Sequence, residues 1–119
     1  MRHWIDKFCN AFRGVGLGVH GQSSFIVHAL AVVGVIVAAI LLRCDVWQWS
    51  VLLLCMALVL GFEMFNSALE RLAQGLCREH NPQVGQALDI ASAAVLVAAL
   101  FAAAIGILVL VSQWVAVMR

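Results

Sequence analysis

Glu63, Asn66 and Glu70 are the residues of this chain whose types and spacing carry chemistry. They stand at i, i+3 and i+7, so on a helix they fall within about 60° of one another. Gln74, at i+11, continues the same line. Two carboxylates one or two turns apart offer a base and a metal ligand. Hard cations such as Mg²⁺ are held by one or two carboxylates plus substrate phosphates. The apolar run "LLLCMALVLGF" leads straight into Glu63. Ionisable groups at membrane depth are costly and face a bundle interior or a watery cavity. For Glu70 a plainer role is also open, as a solvated acid beyond the membrane with Arg71 beside it. Asp89 brings an acid from a second segment. Its plainer role is that of an acid opening a helix, where the macrodipole favours it.

The elements that would position these groups are apolar. Of 119 residues, 65% are hydrophobic and 11% charged, against about 25% charged in ordinary soluble domains. The mean hydropathy is +1.05. Three runs stand out: Phe25–Leu42, Val46–Phe62 and Ile90–Val111. The second continues as a helical pattern through Leu76, and the third is free of charge. A spanning helix needs about 20 mainly apolar residues. A soluble three-helix bundle would need polar outer faces, and these runs have none. The expected fold is therefore all-α and integral to a membrane, one domain over residues 1–119. It comprises a surface helix (1–20) and spans at 25–42, 46–76 and 85–117.

The surface helix follows from Trp4, Ile5, Phe8, Phe12 and Val15 at helical spacing, with Arg2, Asp6, Lys7, Asn10 and Arg13 between them. Such a pattern lies in the interface plane. It has no apolar core of the kind a cleavable signal carries, so the first span is expected to direct insertion. Trp47, Trp49 and Trp114 are expected as interface anchors. The one polar loop is "CREHNPQVGQ". Arg2, Lys7, Arg13, Arg71 and Arg78 fall on one side, Arg43 and Arg119 on the other, which puts the N-terminus in the cytoplasm. Small residues in the third span, Ala91 to Gly106, suit close helix approach in lipid. Three spans form a thin bundle around a polar site, so association between copies is expected.

Other patterns carry less. "GLGVHG", Gly16–Gly21, fits G-x-G-x-x-G but lacks the strand and βαβ context of a dinucleotide site. Its glycines are expected to loosen a bend between surface helix and first span. The four histidines form no H-E-x-x-H, and His28 is expected to bond across helices rather than bind a ligand. Cys9, Cys44, Cys55 and Cys77 lack zinc-like spacing and read as structural. The net charge of +1 gives no field for nucleic acid.

"FEMFNSALERL" resembles the signature E-x-x-N-[ST]-A-x-E of the small prokaryotic diacylglycerol kinases, a family that includes the Gram-positive undecaprenol kinases. The resemblance runs colinearly through "FCNAFRGVGLGV", "FIVH", "EHNP" and "LDIASAAV". It implies a homotrimer in the bacterial inner membrane, with cytoplasmic-side active sites shared between subunits. The implied reaction transfers the γ-phosphoryl group of ATP, with Mg²⁺, to a lipid alcohol. By position, Glu63 matches the base, with Asn66 and Ser92 in the polar substrate site. Glu70 matches a carboxylate at both metal and nucleotide, and Asn10, Glu79 and Asp89 match nucleotide positions.

Three positions depart from that pattern. Gln22 stands where the family usually has a metal-binding glutamate, Gln74 where it has an aspartate, and Leu88 where it has a lysine. An amide oxygen still coordinates Mg²⁺ but adds no formal charge. Two further readings stay open on the sequence. One is a family member that binds lipid or nucleotide without turnover. The other is a small transporter or channel subunit, which the clustering of the acids at one end disfavours.

Overall fold

A computed structural model describes residues 2–19 and 23–119 as four helices. They are α1 (Arg2–Val19), α2 (Ser23–Leu41), α3 (Val46–Leu76) and α4 (Pro82–Met118). Gln22, His20 and the end of the Gly16–Gly21 segment lie outside the described residues. The fold is the expected all-α one, and α2, α3 and α4 are each long and apolar enough to cross a membrane.

Each of the two described turns between long helices has a local cause. The end of α2 winds up with Cys44 N–H donating to Ala39 C=O (3.1 Å) and Arg43 N–H to Ile40 C=O (3.2 Å). This is the paired closure of a helix end whose next residue is left-handed. Arg43 takes that conformation, at φ 55°. Asp45 then caps α3. Its carboxylate accepts from Gln48 N–H, and the Gln48 side chain accepts from Asp45 N–H, both at 2.9 Å. At α4, the Asn81 side chain accepts from the N–H groups of Gln83 and Val84. Pro82 follows, at the first helical position, where its missing N–H costs nothing.

That cap corrects two expectations. The third long helix begins at Pro82, so much of the polar loop is helical. Asp89 therefore lies two turns inside α4, and the first turn holds no acid. The dipole effect fades beyond the first turn, so it does not account for Asp89.

Packing centres on α3, which lies most extensively against α4. Its buried residues are Leu52, Cys55, Met56, Val59, Glu63, Asn66 and Ser67. Their three- and four-residue steps define one stripe. Ala39, Leu52 and Met56 form a small core, with Trp49 packed against it. Trp49 is three residues before Leu52 on the stripe, so it is a packing residue, whereas Trp47 and Trp114 are exposed. Cys55 is buried as a small hydrophobe, and all four cysteines are free. Burial first, then the neighbouring Asp45, pushes the Cys44 thiol up. On α4 only Val95 and Gly106 are buried. A Cβ at Gly106 would meet no atom within 4 Å, so within one subunit α4 leaves space at this position instead of closing it.

Opposite the acidic end, Gln113 of α4 joins the other two long helices. Its Nε2 donates to the carbonyls of Leu42 (2.9 Å) and Arg43 (3.2 Å). Its Oε1 accepts from Gln48 Nε2 at 3.1 Å. One side chain thus satisfies carbonyls at the end of α2 and ties α2 and α3 to α4.

Candidate functional site

Glu63 is one turn beyond Val59 on the core-facing stripe of α3, and it is only 2% exposed. The polar line is thus the core line continued with acids and amides. A carboxylate so deeply placed needs partners, because an unpaired buried charge is strongly destabilising. Here α2 supplies both. Ser24 Oγ donates a close hydrogen bond to Glu63 Oε1. His28 Nε2 lies 3.5 Å from Glu63 Oε2. Ser24 and His28 are one turn apart on α2, so they reach the two oxygens side by side. His28 does bridge between helices, as expected.

One turn along α3, Asn66 Nδ2 donates to Glu70 Oε1 at 3.2 Å. Among the described residues, Asn66 Oδ1 and Ser67 Oγ are buried with no hydrogen-bond partner. Buried polar atoms left single are rare and call for an explanation. Asn66 borders a cavity of about 340 Å³ lined by Ser24, His28, Glu63, Asn66, Glu70, Ser92, Val95, Leu96 and Ala99. His28 and Ala99 also line an apolar cavity of about 130 Å³ deeper between α2, α3 and α4. The site is therefore polar at one end and greasy at the other.

Of the residues singled out in the sequence, His28, Glu63, Asn66, Glu70 and Ser92 line this one cavity. Asn10, Glu79 and Asp89 are exposed and do not line it. Glu79 sits in the α3–α4 turn, where its carbonyl accepts from Cys77 Sγ. Gln74 is exposed on α3 and Leu88 half-buried on α4. Ser24 was missed by the sequence reading. Its only signal was the i, i+4 pairing with His28 at the start of an apolar run. Arg71, the neighbour of Glu70, turns away and donates from Nη2 to Leu17 C=O at 2.9 Å.

Among the described residues, no group of three or more His, Cys, Asp and Glu side chains could hold a metal ion. The donors do fit a hard cation completed by phosphate and water. Glu70 offers a half-exposed carboxylate, and Asn66 Oδ1 is an oxygen without a partner.

Fold and site together define a helical membrane protein with a buried carboxylate in a polar cavity at one end of its spans. The family profile of prokaryotic diacylglycerol kinase matches residues 9–110. The chain belongs to that family, a family of membrane lipid kinases. Searches of curated proteins and of solved structures give no match.

Proposed function

We propose that this protein transfers the γ-phosphoryl group of ATP to the hydroxyl of a membrane lipid alcohol, either a diacylglycerol or a polyprenol such as undecaprenol. The observation that carries the reading is Glu63, a carboxylate at 2% exposure on the wall of a polar cavity that shares His28 and Ala99 with an apolar one. Such a pair of cavities suits a molecule with one hydroxyl and a hydrocarbon body. Glu63 takes the proton of that hydroxyl as its oxygen attacks the γ-phosphorus and ADP departs. A base at hydrogen-bond distance from the proton it removes contributes typically 10²–10⁴-fold.

Glu70 and Asn66 would hold Mg²⁺. When bound, the ion offsets charge on the phosphates, the main electrostatic demand of phosphoryl transfer. Asn66 Nδ2 keeps Glu70 Oε1 turned along the helix, and Ser92 faces the same cavity from α4. Asn10, Glu79 and Asp89 are assigned to the nucleotide, with Gln22 as a further oxygen donor to the metal. Asn10, Glu79 and Asp89 stand clear of the cavity in one subunit, which suits a role at the site of a neighbour in a homotrimer. The excess of basic residues on α1 and around the α3–α4 turn argues for the N-terminus and the site facing the cytoplasm, in the bacterial inner membrane.

The test is direct. Purified protein is incubated with radiolabelled ATP and Mg²⁺ in mixed micelles containing diacylglycerol or undecaprenol. Label is expected in the lipid. Unlabelled lipid under both conditions, with the assembly intact, would sink this reading. It would favour a member that binds without turnover, which the amides at Gln22 and Gln74 and the apolar Leu88 would then explain.

A further inference from the structure

Glu63 has almost no free surface, at 2% exposure. Its Oε1 accepts from Ser24 and its Oε2 faces His28. A group that reaches this carboxylate from the cavity competes with those two neighbours for the little room there is. The two neighbours differ. His28 is half-buried and also lines the deeper apolar cavity. Ser24 is exposed, lies at the start of α2 and forms part of the wall of the polar cavity. Its group is a primary alcohol donating to a carboxylate oxygen, the interaction an incoming lipid hydroxyl has to make before it loses its proton.

We propose that Ser24 Oγ occupies the seat of the acceptor hydroxyl on Glu63, so that the lipid alcohol binds by displacing it. This rests on the lipid-kinase reading above. Before displacement, the Ser24 O–H satisfies Oε1, the carboxylate oxygen that His28 does not face. Afterwards the lipid O–H donates to Oε1, and the Ser24 side chain turns to the open side of the cavity. The carboxylate keeps the same number of hydrogen bonds, so the exchange leaves no buried acceptor unsatisfied. His28 stays on Oε2 and holds the carboxylate in place throughout. Two consequences follow. Ser24 competes with substrate and raises the apparent KM for the lipid. It also holds the seat against water, which would otherwise stand beside the base and open a route to wasteful ATP hydrolysis.

The experiment compares the full-length protein with Ser24→Ala and Ser24→Thr in mixed micelles, following labelled lipid and lipid-free release of inorganic phosphate. A hydrogen bond to a charged group is worth enough that removing the competitor should raise kcat/KM for lipid about tenfold, through KM. Lipid-free ATP hydrolysis should rise in the same variant. Ser24→Thr keeps the hydroxyl and should lie closer to wild type than Ser24→Ala does, in both KM and lipid-free hydrolysis. If Ser24→Ala instead lowers kcat with KM unchanged or raised, Ser24 only orients Glu63 and the displacement idea is overturned. A wild-type KM in Ser24→Ala, with lipid still labelled, overturns it as well and leaves the kinase reading standing. Absence of lipid label in the wild-type protein overturns both.

Discussion

A carboxylate at the depth of Glu63 exists only because two side chains on another helix meet it. The sequence placed Glu63, Asn66 and Glu70 on one line, because spacing within one helix is fixed by 3.6 residues per turn. It gave no means of pairing Glu63 with Ser24, because that contact depends on how α2 and α3 are set against each other. Such register comes from packing at Ala39, Leu52 and Met56, where many apolar side chains would serve equally well. Glu63→Gln keeps the volume and removes the proposed base. Lipid phosphorylation is expected to fall by at least about 100-fold, with the oligomer unchanged on size exclusion in detergent. A variant at wild-type rate would remove Glu63 from the chemistry. Glu70→Gln is expected to shift the Mg²⁺ dependence of the rate to higher concentration, because a formal charge leaves the proposed ligand set. An unchanged Mg²⁺ titration would take Glu70 out of that set.

At the level of elements, the long apolar runs made the three spans readable, and their ends were harder. Asn81-Pro82 was visible in the sequence, yet "CREHNPQVGQ" looked like loop because its residues are polar. The helix starts there because the Asn81 side chain meets two otherwise unpaired N–H groups. Asn81→Ala should cost about 1 kcal/mol, measured as a lower midpoint of unfolding in denaturing detergent. At the opposite end Arg43 takes φ 55°, a conformation that costs a side-chain-bearing residue roughly 1–2 kcal/mol. Arg43→Gly relieves that strain but gives the unfolded chain more freedom. The net expectation is a gain of about 0.5–1 kcal/mol, with a raised midpoint in the same assay. A lowered midpoint would mean that the Arg43 side chain holds the turn through contacts of its own. Gln113 was illegible in the sequence, since an amide near the end of an apolar helix looks like an ordinary interface residue until the carbonyls of Leu42 and Arg43 arrive beside it.

The whole molecule is a slab, 60 × 42 × 20 Å, about two helix diameters thick. Few residues can be buried in such a shape, and α4 buries only Val95 and Gly106 along its 37 residues. Lipid covers apolar faces adequately, so hydrophobicity alone does not require partners. The positions of the polar groups make the stronger case. Glu63 and Glu70 line the cavity, while Asp89, seven residues into α4, stands outside it. If each site combines the cavity of one subunit with Asp89 of the next, the two groups can be separated genetically. Glu63→Gln and Asp89→Asn should each be inactive alone. Unfolded together in equal amounts and refolded into closed cyclic assemblies, they should recover about a quarter of wild-type activity. Each site draws its two groups independently from adjacent subunits, with a one-half chance for each. The assembly should also run at three times the 12.9 kDa subunit mass, once bound detergent is subtracted. No recovery on mixing, from variants shown to exchange subunits, would place Glu63 and Asp89 in the service of the same subunit. In that case a closure of α4 over the cavity, and not a neighbour, would have to bring them together.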